Sequence, residues 1–138
     1  MFQKIVVPVD LAHEAVLQKT LTVAAEMARL YQAAICFVGV ASASPGPVAR
    51  TPEDYAKKLR AFAEAQAATH GVTTEAHAIQ SHDPAVEMNK ALERAVTELG
   101  ADLVVMQSHV PNVADYIWAG HGAHVAAHSR ASVFLVRD

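Results

Sequence analysis

The sequence has little cysteine, few aromatic residues and no long apolar run. Cys36 is the only cysteine, so no disulfide can form within the chain, which is compatible with a reducing compartment. Aromatic residues make up 6% of the 138 residues and hydrophobic residues 52%, so we expect a core of aliphatic side chains and alanine. The longest apolar run, around "AAICFVGVA", is far shorter than the ~20 residues that cross a bilayer, and no signal peptide is recognisable. We therefore expect a soluble, cytoplasmic protein without membrane insertion.

An excess of basic charge and the common motifs of nucleotide enzymes are also absent. The formal net charge is −3, so no nucleic-acid partner is indicated. No Gly-x-Gly-x-x-Gly follows the first apolar segment, and no Gly-x4-Gly-Lys-(Ser/Thr) occurs anywhere. Ser108 and His109 lack an acid at the spacing of a hydrolase nucleophile elbow. These absences predict that the protein is not an enzyme.

Five short β-like segments alternate with four helical segments along the chain. The strands near Ile5, Ile35, Leu103 and Phe134 are almost continuous apolar runs, as expected for strands that are covered on both faces. The remaining strand, "VTTEAHAIQ", alternates apolar and polar residues, which favours the edge of the sheet. This order of elements predicts parallel strands with right-handed helical crossovers, and hence a single doubly wound α/β layer sandwich.

The helices are indicated by apolar spacing and by residues typical of helix ends. The apolar positions of two helices step by three or four residues: Leu17, Leu21, Ala24 and Ala28, then Met88, Leu92, Ala95 and Leu99. Thr51–Pro52 and Asp83–Pro84 are typical of helix starts, and Gly71 and Gly100 of left-handed helix ends. The fourth helix is expected to run from about Gly120 to about Ser129.

Ligands of an open parallel sheet bind beyond the carboxyl ends of its strands, which directs attention to Asp10 and to the stretch between Met106 and Ser129. Asp10 ends the first strand, where it is either the N-cap of the next helix or an acceptor for a ribose hydroxyl or a base amino group. The two roles are compatible because a carboxylate has two oxygens. In "MQSHVPNVADYIWAGHGAHVAAHS", a strand enters a loop and then a helix whose free N–H groups would suit an anion.

Three segments resemble the universal stress protein family: "KIVVPVD", "ADLVVMQSH" and "AGHGAHVAAHSRASVFLVR". The resemblance covers the whole chain in order, with the middle third similar only in layout. It implies a single domain over residues 1–138, with a five-stranded parallel sheet in the order 3-2-1-4-5 flanked by four helices. It also implies a dimer and a role in stress adaptation.

The resemblance further implies a nucleotide site. Members of the family that bind ATP use a Gly-x2-Gly-x9-Gly-(Ser/Thr) loop, and this spacing is kept here with only one of its four identities, at Gln107, Val110, Gly120 and His121. The adenosine half would be lined by Pro8, Val9, Asp10 and Val40, with Met106 beside the ribose. The triphosphate half would fall on Gln107, Val110, Gly120, His121 and Gly122.

The departures from the loop motif predict a weakened phosphate site. Valine at 110 disfavours positive φ, and Pro111 removes one N–H. Without a hydroxyl at position 121, a charge-assisted hydrogen bond of about 1.5–3 kcal/mol is lost. The backbone N–H groups of His121 and Gly122 remain, and His121 could donate to phosphate when protonated. We expect a plausible adenosine half and an impaired triphosphate half, and hence weak binding of ATP or AMP with no certain cofactor. The alternative is a dimeric interaction module that binds no nucleotide and acts on an unknown protein partner.

The aromatic and histidine residues of the last helix have a structural interpretation. His121, His124 and His128 share one helix face and could in principle hold a metal, but no carboxylate or cysteine joins them in the sequence, so we predict no metal site. Tyr116 and Trp118 are interpreted as packing anchors.

The last strand, "ASVFLVR", is apolar and is expected at a sheet edge, where unpaired backbone invites another chain. We therefore predict a homodimer that is joined through this C-terminal strand, at Val133, Phe134, Leu135 and Val136.

Overall fold

The computed structural model of the protein describes residues 1–81, 84–107, 113 and 116–137. Five parallel strands form one sheet in the order β3-β2-β1-β4-β5, which confirms the expected fold class and strand order. The strands are β1 (Lys4–Pro8), β2 (Ala34–Ser42), β3 (Thr74–Ser81), β4 (Leu103–Met106) and β5 (Ser132–Leu135). The helices are α1 (Gln18–Tyr31), α2 (Pro52–His70), α3 (Pro84–Glu98) and α4 (His121–His128). A 3₁₀ helix at Leu11–Leu17, which the sequence reading did not separate, leads into α1.

The sheet is most deeply buried at its centre. Every residue of β4 is buried, and β1 is buried from Ile5 onward. β1 pairs with β2 on one side, with Ile5 opposite Ile35, and with β4 on the other. β3 and β5 form the two edges, as predicted. The apolar strands β1, β2 and β4 are therefore covered on both faces, as expected. The apolar strand β5 is not, because it lies at the edge and most of its residues are exposed.

The helix signals in the sequence are confirmed where the structure describes them. The predicted apolar stripe of α1 is buried at Leu21, Ala24 and Ala28. Thr51 caps α2, because its side chain accepts a hydrogen bond from the Asp54 N–H at 3.0 Å. Gly71 ends α2 with φ of 65°, a left-handed conformation that glycine adopts without a steric penalty. The predicted cap at residue 83 lies outside the described residues.

Trp118 joins the carboxyl end of β1 to the approach of α4. Its side chain is completely buried, and its indole Nε1 donates a hydrogen bond to the Val9 carbonyl at 2.9 Å. Tyr116 is also buried. Both residues are therefore the packing anchors that were predicted. No helix in the described part of the chain is long and apolar enough to span a membrane.

Candidate functional site

Asp10 lies at the carboxyl end of β1 and is held by backbone N–H groups from two distant segments. Its Oδ1 accepts a hydrogen bond from Ala12 at 3.0 Å, and its Oδ2 accepts one from Ile117 at 3.1 Å. The first contact makes Asp10 the N-cap of the 3₁₀ helix, which confirms one of its two predicted roles. The second contact, together with the bond from Trp118 to β1, places the approach of α4 against the tip of β1. The two segments thus share one crevice.

A cavity of about 130 Å³ opens beside Asp10 at the carboxyl ends of β1 and β2. Its lining comes from the strand ends, the 3₁₀ helix, the loop before α2, α2 itself and the approach of α4: Asp10, Ala12, Val40, Ser42, Gly46, Pro47, Val48, Ala49, Thr51, Tyr55 and Ile117. A volume of this size holds about four water molecules and is below the range of roughly 300–1,000 Å³ that is common for ligand sites. The cavity is therefore in the place expected for a ligand but is narrow.

Tyr55 is one reason for the small volume. Its side chain extends from α2 to β2, where a Cβ at Gly39 would overlap its hydroxyl oxygen. The backbone of Val40 forms a hydrogen bond with the same hydroxyl. Burial, and then the negative charge of Asp10, raise the pKa of Tyr55, so the phenol stays protonated. Tyr55 thus lies against a backbone position that the resemblance assigned to adenosine.

Two of the positions that correspond to the phosphate loop, Gln107 and His121, form hydrogen bonds within the protein. Gln107, at the end of β4, is 3% exposed, and Thr20 Oγ1 donates a hydrogen bond to its Oε1 at 3.3 Å. The His121 backbone N–H donates to the Trp118 carbonyl at 3.1 Å, which corrects the expectation that it stays available to phosphate. Gly120, the one glycine of the loop motif that this sequence retains, has φ of 78° and so adopts the left-handed conformation. Gly122 is buried.

The side chain of His121 does not favour a role as a cation for phosphate. Burial, and then the proximity of His124, lower the pKa of His121, which leaves the imidazole neutral at neutral pH. Its Nδ1 contacts Oδ1 of Asn89 on α3. The predicted donation from a protonated His121 therefore has an electrostatic cost in this environment.

The structure separates the ten predicted nucleotide residues into distinct groups. Asp10 and Val40 line the cavity. Pro8 and Met106 are buried strand residues, and Val9 is buried directly after β1. Gln107, Gly120, His121 and Gly122 lie at the end of β4 and the start of α4. Val110 lies outside the described residues. The prediction of a nucleotide site therefore stays a prediction.

Sequence reasoning missed the residues that close the cavity from the side of α2. These are Tyr55 and the loop of residues 46–51, which lies in the Pro-, Gly- and Ser-containing stretch "ASASPGPVARTPED". The position of this loop directly after β2 was the one available signal, because the carboxyl ends of parallel strands meet at the same edge.

The histidines of α4 are arranged differently from the prediction. His121 contacts Asn89, whereas His124 Nε2 lies 3.0 Å from Glu93 Oε1 and His128 Nδ1 lies 3.9 Å from the same oxygen. A carboxylate from α3 therefore does join two of the three histidines, and the predicted grouping with His121 is corrected.

The exposed apolar edge of β5 is shorter than predicted. Phe134 and Leu135 are 43% and 38% exposed. Val133 is half-buried, and Val136 is 2% exposed with its N–H bonded to the Met106 carbonyl at 2.9 Å. The side chain of Val136 belongs to the core, so it cannot be one of the predicted dimer contacts.

Comparison with known proteins finds similarity to universal stress proteins over almost the whole chain. The model of the universal stress protein family matches residues 1–137. A universal stress protein family member from Burkholderia pseudomallei is 20% identical, with 99% of this chain and 96% of that chain covered and a TM-score of 0.70. A universal stress protein in complex with cAMP is 19% identical, with 99% and 97% covered and a TM-score of 0.68. The universal stress protein from Archaeoglobus fulgidus in complex with dAMP is 22% identical, with 98% of each chain covered and a TM-score of 0.66.

Proposed function

Because this chain belongs to the universal stress protein family, we propose that it is a non-enzymatic stress-response protein that binds a small adenine nucleotide weakly. The observation that carries the proposal is the cavity beside Asp10 and Val40, the two adenosine positions of the family resemblance that line it. Structures of two similar proteins are described as complexes with cAMP and with dAMP, which supports a nucleoside monophosphate as the ligand.

A nucleoside monophosphate fits the described contacts better than ATP does. Gln107 stands where the triphosphate loop has a glycine, and its side chain accepts a hydrogen bond from Thr20. His121 stands where the loop has a serine or threonine hydroxyl, and its side chain contacts Asn89. The second and third phosphates would then gain few hydrogen bonds for the cost of their desolvation. We expect AMP to bind at least as tightly as ATP.

The narrowness of the cavity accounts for the weakness of the proposed binding. A nucleotide needs more than about 130 Å³, so Tyr55 or the loop of residues 46–51 must move for it to enter. The free energy of that movement is subtracted from the binding free energy.

The cavity lining favours binding over catalysis. Among the described residues that line it there is no histidine, lysine or cysteine, and the carboxylate of Asp10 already accepts two backbone hydrogen bonds. Asp10 is the one carboxylate of the described lining, and a bound nucleotide would compete with these two N–H groups for its oxygens. We expect no release of phosphate from ATP above the background rate.

The proposal is tested by narrowing the mouth of the cavity with Ala12→Leu. Ala12 is exposed and lines the cavity, and its N–H, which bonds Asp10, is unaffected by the substitution. Ala15→Leu is the matched control, since Ala15 is an exposed alanine of the same 3₁₀ helix that does not line the cavity. Calorimetric titration with AMP, ADP and ATP should show weak binding to the parent and to Ala15→Leu, and at least about tenfold weaker binding to Ala12→Leu.

Equal affinities of the two leucine variants would place the ligand elsewhere and reject the proposed site. Tight ATP binding, or nucleotide released when the purified protein is denatured, would show that the phosphate half is not impaired.

The second candidate is a dimeric interaction module that binds no nucleotide and has a protein partner. Two observations favour it. The hydroxyl of Tyr55 forms a hydrogen bond with the backbone of Val40, and Phe134 and Leu135 are exposed on the edge strand β5. Absence of binding by all three nucleotides, together with a stable homodimer, would favour this function over the first.

A further inference from the structure

Glu93, His124 and His128 form a cluster between α3 and α4 that we call the His–Glu cluster. One ligand atom from each residue lies within 4.8 Å of the other two. The two histidines are four residues apart on α4, and their rings stack with centroids 4.1 Å apart and planes inclined by 20°. Two histidines at this spacing on one helix face are a recurrent way to hold a metal ion.

The Glu93 oxygen that faces His124 is buried with its capacity to accept a hydrogen bond unused by the described residues. His124 Nε2 lies 3.0 Å from Glu93 Oε1, yet this buried oxygen has no hydrogen-bond donor directed at it in the described part of the chain. An ordinary ion pair would align the imidazole N–H with the carboxylate. Ligand atoms at about 2.0–2.2 Å from one tetrahedral zinc ion are separated by about 3.3–3.5 Å, and the distance of 3.0 Å between His124 Nε2 and Glu93 Oε1 needs only a small adjustment to reach this value.

His128 has the supporting contact that metal-binding histidines usually have. Its Nδ1 lies 2.9 Å from the His124 carbonyl oxygen, so Nδ1–H can donate to that oxygen. In this tautomer Nε2 keeps its lone pair for a metal ion, and the carbonyl fixes the orientation of the ring.

We propose that the His–Glu cluster binds a divalent first-row transition metal ion, with zinc as the best match. Two imidazoles and one carboxylate provide three protein ligands, and the fourth position is left for water or another ligand. The side chains of Glu93, His124 and His128 are 26%, 32% and 58% exposed, so an ion can reach them from solvent. Imidazole ligands favour zinc over magnesium and calcium, which prefer oxygen. The ion would link α3 to α4, independently of any nucleotide.

The test is a calorimetric titration of the full, chelator-treated chain with Zn²⁺, repeated with Glu93→Gln, His124→Gln and His128→Gln. We expect one Zn²⁺ per chain and a loss of affinity of at least about tenfold in each variant. The matched controls are Glu98→Gln, an exposed carboxylate at the end of the same α3, and His70→Gln at the end of α2, which should both bind as the parent does. Circular dichroism in the presence of chelator checks that each variant is folded.

Two further probes define the chemistry. Co²⁺ should give the visible absorption of a four-coordinate site in the parent and in the controls, and Mg²⁺ should not compete with Zn²⁺. The proposal is overturned if no Zn²⁺ binds, if binding survives all three substitutions, or if one Zn²⁺ is held between two chains. Because His128 is the most exposed of the three ligands, its variant is expected to fold and keeps the test decisive.

Discussion

Asp10 is the residue on which the geometry of the cleft depends. Its two oxygens accept N–H groups from Ala12 and Ile117, which are 105 residues apart in the sequence, so one side chain fixes both walls of the crevice. Hydrogen bonds to a charged group are worth about 1.5–3 kcal/mol each. Burial, and then the charge of Asp10, raise the pKa of both Tyr55 and Tyr116, so both phenols stay protonated. A ligand that reaches Asp10 must therefore share an oxygen that already accepts a hydrogen bond.

His121 provides a pH-dependent contribution at the residue scale. Its pKa is lowered from 6.5 in the folded protein, by burial and then by His124, so the unfolded chain binds a proton more readily. The stability that His121 contributes is fully present above about pH 6.5 and is lost as the pH falls through the lower folded pKa. The group of α3 that contacts His121 is the uncharged amide of Asn89, whereas the carboxylate of Glu93 contacts His124.

We expect His121→Gln to reduce the loss of stability between about pH 7.5 and pH 5, because the titrating group is removed. Urea unfolding of the parent and the variant at several pH values measures this. A parent and a variant whose stabilities decline in parallel would show that His121 is not responsible.

At the scale of elements, the packing of α2 on β2 decides the size of the cavity. Gly39 lets the hydroxyl of Tyr55 approach the strand, because any Cβ there would overlap it. Tyr55 is 8% exposed, and Phe62, about two turns later in α2, packs edge-on against Phe37. Helix α2 therefore contacts β2 through both Tyr55 and Phe62, and the side chain of Tyr55 fills part of the ligand cleft.

Gly39→Ala should destabilise the protein by about 1–3 kcal/mol, because the added methyl group overpacks the contact with Tyr55. Tyr55→Phe removes the overlapping oxygen, so the double variant should lose less than the sum of the single variants. Denaturant unfolding of the four proteins gives the coupling free energy.

Gly46→Ala is the control for added volume, since no atom lies near its Cβ position, and it should change stability by less than about 0.5 kcal/mol. Strict additivity of Gly39→Ala and Tyr55→Phe would contradict the proposed contact.

For the whole molecule, β5 is the surface on which assembly is expected to occur. It is an edge strand in which Phe134 and Leu135 are substantially exposed, and an apolar edge favours pairing with another chain. We propose a homodimer with a twofold axis through this edge, as the family resemblance implies.

Leu135→Lys should convert the predicted dimer to monomer at micromolar concentration, because a desolvated ammonium group would be placed at the joined edge. Light scattering with size-exclusion chromatography measures the mass. Leu30→Lys is the control, since Leu30 is a 73% exposed leucine on α1, away from β5. A monomeric parent, or a dimeric Leu135→Lys variant, would count against assembly through β5.

The sequence by itself determined the layer architecture, the alternation of strands and helices, and three of the helix ends. These depend on local features: apolar residues at steps of three or four, the acceptor of Thr51 three residues from its donor, and the left-handed glycines 71 and 100. The strand order came from the resemblance to a family, because the alternation of strands and helices does not specify it alone. The cytoplasmic location stays a prediction.

Only the tertiary structure decided which side chains meet in the cleft and beside α4. Tyr55 reaches Val40, Ile117 reaches Asp10, and Glu93 reaches His124 across contacts that no sequence periodicity connects. The physical reason is that such contacts depend on how far each helix lies from its strand, and side-chain packing sets this distance. A pattern of spacing fixes the face that a residue occupies, but the packed chain selects the partner it finds there.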